Sequence, residues 1–245
     1  MPNHITNRLY VTANSAEELT DFLKSIGTEE SAIDFNKIVP MPEELKGTEE
    51  SSTTNESIAY YLQQTNQEEI AEKIRMYSFY MKNFDTKGKS EDKLTEMYEI
   101  GKKYVDNFKK YGATTWYNWC LTNWGTKWNA YDVSLWVNHT NDGAVITFDT
   151  AWSGVPDLIE KLAKKFPNIY FEYKFADEDF AQNTGYGDTD EEGNLYMNYP
   201  DGDSDEAVEL FIECKGYNKD DFYKDEDGNW HCKEWEDDYE DEVEE

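Results

Sequence analysis

The chain has 245 residues, of which 38% are apolar and 16% aromatic, with 8 Trp and a formal net charge of −30 at pH 7. That length buries one large core or two small ones, and the aromatic share excludes an acidic disordered polymer. The charge excludes direct binding to a phosphate backbone or to an anionic membrane. It is also unevenly placed: residues 176–245 hold 27 Asp and Glu against 4 Lys, a net −23, which leaves −7 for the rest.

Asn7 to Ala13 alternates Leu9, Val11 and Ala13 with polar neighbours, the period of a half-buried strand. Ser15 with Glu18 three positions on is a helix start. Leu19, Phe22, Leu23 and Ile26 then follow at helical spacing up to Gly27. Ile33 to Val39 reads as a second extended segment, closed by Pro40-Met41-Pro42. Gly47 to Glu56 reads as a mobile loop. Two helical patterns come next, Ile70, Ile74, Tyr77 and Met81, then Leu94, Met97, Gly101, Tyr104 and Phe108, with a break at Asp85 to Lys89. An antiparallel helical hairpin inserted at about 47–112 is the expected arrangement.

Four Trp then lie within thirteen residues, Trp116 to Trp128. Val133 to Val137 and Ala144 to Asp149 read as strands around the turn Asn141-Asp142-Gly143. Pro156 opens a helix with Leu158, Ile159, Leu162 and Phe166, and Ile169 to Phe175 alternates as a further strand. The order β-α-β, insertion, β-β-α-β is that of a split βαβ sandwich, an α+β ferredoxin-like core over 1–180. Beyond it, an acidic stretch of aromatics and carboxylates over 181–235 is expected to fold, with Val208 to Ile212 as a strand, and 236–245 as a disordered acidic tail.

Four segments carry a resemblance: M-P-N-H-I-T-N-R-L at Met1 to Leu9, F-N-K-I-V-P-M-P-E-E-L at Phe35 to Leu45, N-W-G-T-K-W-N-A-Y-D at Asn123 to Asp132, and F-D-T-A-W-S-G-V-P at Phe148 to Pro156. Together they resemble the YubB-type ferredoxin-like domain proteins of plasmids, phages and other mobile elements. The resemblance implies a ferredoxin-like fold and a mobile-element origin, and carries no catalytic residues. The long helical segment and the acidic region beyond Asp179 exceed what it requires. The fold name does not imply an iron–sulfur cluster, since Cys120, Cys214 and Cys232 cannot supply four thiolates, and no cofactor is expected. Dispersed and odd in number, they read as reduced thiols.

Asn123, Trp124, Lys127, Trp128, Asn129, Asp132 and Trp152 read either as a small-ligand pocket with aromatic walls or as core, with Lys127 pairing with Asp132 or Asp149. His4, His139 and His231 are too far apart in sequence for a two-His metal spacing, and His231-Cys232 reads as a solvated turn or a metal half-site. The loops 188–193, 201–206 and 225–229 alternate carboxylates around Gly without the full calcium-loop pattern, so charged turns are the stronger reading and no metal is assigned. Asp201, Asp203, Asp205, Glu206, Asp220, Asp221, Asp225, Glu226 and Asp227 are the expected partner contacts. Their partner would be a basic, nucleic-acid-binding surface of a host or defence complex, such as a CRISPR effector or a restriction enzyme. A ligand-binding or enzymatic domain built on the Trp-rich segment, or an adaptor built on the helical hairpin, is the alternative. No apolar run reaches the length of a membrane span and the N-terminus lacks the pattern of a signal peptide, so a cytoplasmic protein is expected.

Overall fold

The computed structural model describes residues 2–74 and 84–233. In chain order the elements are β1 (His4–Thr12), α1 (Ala16–Ile26), α2 (Phe35–Ile38), α3 (Ser52–Thr65), α4 (Glu68–Lys73), α5 (Glu91–Tyr111), α6 (Trp116–Asn123), β2 (Tyr131–Val137), β3 (Gly143–Ala151), α7 (Pro156–Lys165), β4 (Tyr170–Ala176), β5 (Gly185–Thr189), β6 (Leu195–Asn198), α8 (Asp205–Lys215), β7 (Phe222–Lys224) and β8 (Trp230–Cys232). The chain divides into two compact units, one of Met1–Val39 with Trp124–Glu245 and one of Pro40–Asn123. Tyr77, Met81, Trp235 and the tail 236–245 lie outside the described residues.

The first unit holds a six-stranded antiparallel sheet in the order β2-β3-β1-β4-β5-β6. Its first four strands, with α1 and α7, have the strand order of a ferredoxin-like fold. Strand β1 is central because both faces of it are occupied: Ile5, Asn7, Leu9 and Val11 are buried on one side and alternate with half-buried residues on the other. Phe22 of α1 and Leu158, Ile159 and Leu162 of α7 are buried as well. Phe22 makes edge and tilted ring contacts with Phe166 and Phe171. Helix α1 begins where Ser15 Oγ accepts from Glu18 N, and ends at Gly27, whose N–H returns to Leu23 O.

One polar network sits in this apolar layer. Asn7 is fully buried, and its amide donates to Ile5 O, Phe148 O and Thr150 Oγ1 at 2.9, 3.1 and 2.9 Å. The Tyr173 hydroxyl donates to Asn7 Oδ1 and accepts from Val155 N at 2.7 Å, which fixes the start of α7 against β4.

Two segments expected as strands are helical. Ile33 to Val39 contains the one-turn α2, because the Asp34 carboxylate accepts from Asn36 N and so favours a helix start over extension. Val208 to Ile212 lies inside α8, capped by Ser204 on Ala207 N and closed by Gly216 at φ 74°. The short apolar run does not distinguish the two periods, and the flanking cap and Gly decide it. The second strand of the ferredoxin arrangement is therefore β2, reached only after the inserted unit. Strands β5 and β6 extend the same sheet beyond β4, so residues after 180 share the sheet of the core. Hairpin β7-β8 contributes Phe222 and Cys232 to a cluster with Phe211 and Cys214 of α8, and Phe180 stacks on Phe222 at 5.9 Å.

In the second unit α3 and α5 run antiparallel. Gly101 of α5 is apposed to Ser57 and Tyr61 of α3, and Ile58, Tyr61, Leu62, Tyr104 and Val105 form the core. Helix α3 starts at Ser52, within the stretch expected as a loop, because Ser51 caps Thr54 N at 3.2 Å. Among the described residues the hairpin partner of α5 is thus α3, and Ile70 and Ile74 fall on the short α4 and its end. Cys120, Cys214 and Cys232 are buried thiols, and burial pushes Cys120 and Cys214 up to about 12. No helix among the described residues is long and apolar enough to cross a membrane.

Candidate functional site

The sheet face opposite α1 and α7 is polar and carries α8. Tyr10 and Lys174 on this face both donate to Glu213 of α8, at 2.7 Å and at 2.9 and 3.1 Å, and Lys174 also pairs with Glu172 at 2.9 Å. Those bonds and the ammonium of Lys174 hold the Glu213 carboxyl below its ordinary range despite the opposing effect of burial. At the end of the helix Lys215 donates to Thr6 Oγ1 at 3.0 Å. Helix α8 lies on β4, β1 and β5, and so divides the face into two halves of different chemistry.

The half formed by β4, β5 and β6 is acidic and studded with phenols. Tyr170 donates to Asp188 at 3.1 Å, Tyr186 to Glu206 at 2.7 Å, and Tyr196 to Asp190 at 3.1 Å. Asp188 lies directly opposite Glu172 in the β4–β5 register. Like charges in that position destabilise a sheet by roughly 0.2–1 kcal/mol, a cost this surface retains. Asp190 also accepts from the backbone N–H groups of Glu192 and Asn194 at 2.9 Å, which holds its carboxyl below the ordinary range, led by the Asn194 side-chain bond.

The other half, on β1, β3 and β2, carries Arg8 together with Asp149. Thr6, Arg8, Asp149, Thr147, Ser134 and Trp136 share the face by register. Burial pushes the Asp149 carboxyl up, against a bond from Thr6 and the field of Lys215, with Asp132 raising it and His4 lowering it. Burial also pulls the Lys215 ammonium below its ordinary value, against the attraction of Asp149, Asp177 and Glu178. The folded Asp149 keeps its proton at a pH where the unfolded one has lost it. Its contribution to stability therefore falls as pH climbs from about 3.9, the unfolded value, through the raised folded value. For Lys215 the sign is reversed at alkaline pH, and stability recovers as pH rises from its lowered value towards about 10.4. In urea titrations, Asp149→Asn is expected to gain on the wild-type chain as pH rises above about 4, and an advantage that does not change with pH there would contradict the assignment.

The residues expected as a pocket take several different local roles. Trp124 is buried against Phe35, with its indole N–H on Val39 O at 2.9 Å. Asn129 accepts from Phe35 N and donates to the Asp34 carboxylate, which completes the α2 start. Asn123 belongs to the other unit, where it donates to Trp119 O within α6. Asp132 is exposed on β2 at φ 49°. Lys127 makes no ion pair with Asp132 or Asp149; its ammonium lies 4.5 Å from the Trp128 ring and 5.1 Å from the Trp152 ring. That cation–π arrangement satisfies the charge without a carboxylate.

The expected acidic contacts separate into two kinds. Glu206 belongs to the phenol-bearing surface, whereas Asp205 pairs with Lys224 and accepts from Trp230 Nε1 at 3.1 Å. Asp225 accepts from Asp227 N and Asn229 N at 2.9 and 2.8 Å and contacts His231 Nε2 at 2.9 Å, so it builds the β7-β8 turn. Asp203 accepts from Gln182 at 2.8 Å. Asp201, Asp220, Glu226 and Asp227 are exposed and Asp221 half-buried, and all five lie outside the strands that carry Asp188 and Glu172. Among the described residues no group of three or more His, Cys, Asp or Glu is placed to hold a metal ion. Sequence reasoning missed Glu172, Asp188 and Asp190 as one surface, and it missed Arg8.

This fold and face define an α+β ferredoxin-like protein with a polar, helix-crossed sheet. Residues 123–218, from the end of α6 to just past α8, match the family model described as the ferredoxin-like domain in Api92-like protein. A crystal structure of protein api92 from Yersinia pseudotuberculosis matches at 9% identity with a TM-score of 0.41, covering 82% of this chain and 99% of that one. No curated protein matches the sequence.

Proposed function

We propose that this chain is a non-catalytic binding protein of mobile-element origin. Its acidic sheet half occupies a basic, nucleic-acid-binding surface of a host or defence complex in the host cytoplasm, in place of the nucleic acid. The observation that carries the reading is the set of phenol-to-carboxylate bonds from Tyr170, Tyr186 and Tyr196 to Asp188, Glu206 and Asp190. A freely rotating acidic side chain must be ordered on binding, at an entropic cost. Carboxylates already held by phenols lose less, and they present fixed negative charge as a backbone of phosphates does. Tyrosine beside such charge adds broad apolar contact with few rotatable bonds, as protein interfaces commonly use.

The reading differs from the expected contact set in where the charge matters. Neutralising Asp188, Asp190 and Glu206 together, as Asn, Asn and Gln, is expected to weaken capture of the partner from host lysate by tenfold or more. Wild-type capture should fade with rising salt and be displaced by duplex DNA. The melting temperature of the triple variant should stay close to wild type, because the Glu172 and Asp188 repulsion is relieved as the hydrogen bonds weaken. Salt-independent capture, or capture unchanged in the triple variant, would reject the acidic face as the contact.

A further inference from the structure

On the β1, β3 and β2 half of the sheet face, Arg8, Ser134, Trp136, Val145 and Thr147 line an open groove of about 310 Å³, bordered by Leu135. Arg8 is one of two arginines in a chain of 23 basic residues, and it faces this groove from the central strand. In a chain with 53 carboxylates the ordinary fate of a guanidinium is an ion pair. Among the described residues Arg8 makes no ion pair, and its guanidinium is engaged only in part, by the Tyr10 hydroxyl. Its buried Nε has no hydrogen-bond partner. Glu213, whose carboxylate senses the Arg8 charge, is held by Lys174 and Tyr10. Lys174 is also the direct cross-strand neighbour of Arg8, and Lys215 reaches Thr6, one pleat along the same strand. Lys174 and Lys215 are thus already matched by carboxylates, Glu172 and Glu213 for the first and Asp149 for the second, which leaves Arg8 as the guanidinium that lines the groove.

The second component is Trp136, which is 60% exposed on β2. It lies opposite Val145 on the same face as Arg8, and Ser134 lies opposite Thr147. An indole left open beside a guanidinium and two hydroxyls has the makings of a stacking platform with an oxyanion anchor. Arginine suits that anchor because its planar fork matches phosphate or carboxylate oxygens in pairs.

The geometry points to a binding site for a small aromatic oxyanion, of nucleoside monophosphate size, whose ring stacks on Trp136 and whose charged group is held by Arg8. The hydroxyls of Ser134 and Thr147 hydrogen-bond the part between them. The acidic half across α8 sets an upper limit on the ligand: a polynucleotide running past the groove meets Glu172 and Asp188, whereas a mononucleotide ends before them. The site is distinct from the acidic contact proposed above and does not depend on it.

Titration of the full chain with AMP, followed by intrinsic fluorescence and by calorimetry, tests the site. Inorganic phosphate, 4-hydroxybenzoate and a twelve-residue oligothymidylate serve as comparison probes. Saturable binding of AMP, with phosphate at least tenfold weaker and the oligonucleotide no tighter than AMP, is the expected result. Binding of 4-hydroxybenzoate alongside AMP identifies a carboxylate as an equal anchor and supports the same site. Trp136→Ala should weaken AMP by about tenfold, in line with the loss of one base-stacking contact. Arg8→Lys should weaken AMP by a similar factor while keeping the charge, and both variants should retain the wild-type melting temperature. No binding of any probe, equal binding of phosphate and AMP, or AMP binding unchanged in Trp136→Ala would overturn the proposal. If Arg8→Lys lowers the melting temperature, Trp136→Ala alone decides, because its side chain is exposed.

Discussion

Replacing Gly101 with alanine is expected to destabilise the unit of residues 40–123 by about 2–4 kcal/mol, as overpacking against a backbone does. A methyl group at that position would lie 2.1 Å from Ser57 O and 2.7 Å from Tyr61 Cβ. The first contact is with main chain, which no rotamer change relieves. Helices α3 and α5 must therefore separate, loosening Ile58, Tyr61, Leu62, Tyr104 and Val105 at once. Alanine is the better helix former by about 1 kcal/mol, and this offsets part of the loss without reversing it. Denaturant unfolding of the full chain checks the outcome, and a variant as stable as wild type would show that the helices do not approach so closely.

Asn7→Ala is expected to cost the sheet-bearing unit about 3 kcal/mol, from roughly 1–3 kcal/mol for each buried polar group left without a partner, reduced where water enters the gap. Its amide serves Ile5 O, Phe148 O and Thr150 Oγ1, and its carbonyl receives the Tyr173 hydroxyl. Burial holds the Tyr173 phenol far above the ordinary tyrosine range, so the hydroxyl stays a donor at every physiological pH. Tyr173→Phe removes the donor but leaves Val155 N unserved. The double variant should therefore fall within about 1 kcal/mol of the worse single variant, the signature of groups acting in one network. Additive losses would place the two side chains in separate networks.

Much of the sheet is legible in the sequence. The alternation of Leu9 and Val11, the Asn141-Asp142-Gly143 turn and Pro156 at the start of α7 each act through the local backbone, and each appears where its chemistry requires. Segments decided by tertiary contact are not. Strand β5, Gly-Tyr-Gly-Asp-Thr, has no strand composition, yet its glycines are needed: a Cβ at Gly187 would lie 2.1 Å from Tyr196 O, and one at Gly185 2.6 Å from the Phe175 ring. In helix α8 the stretch Val208 to Ile212 reads as a strand, yet the Ser204 cap and Gly216 set an eleven-residue helix around it. The acidic surface was legible as charge but not as place, because Glu172 and Asp188 are brought together by strand register and Glu206 by the bond from Tyr186 to α8, none of which sequence spacing shows. A signal for Arg8 does exist in the sequence, as one of only two arginines set in a strand among 21 lysines elsewhere.

The burial of Cys120, Cys214 and Cys232 has a practical consequence. Thiols shielded in the core, two of them held protonated well past neutrality, react slowly with maleimides and iodoacetamides. A single cysteine introduced at an exposed position such as Asp188 or Trp136 can therefore be labelled selectively in the otherwise native chain. A fluorophore or spin label at the first position reports on one half of the sheet face, and at the second on the other, so the two occupants can be followed independently.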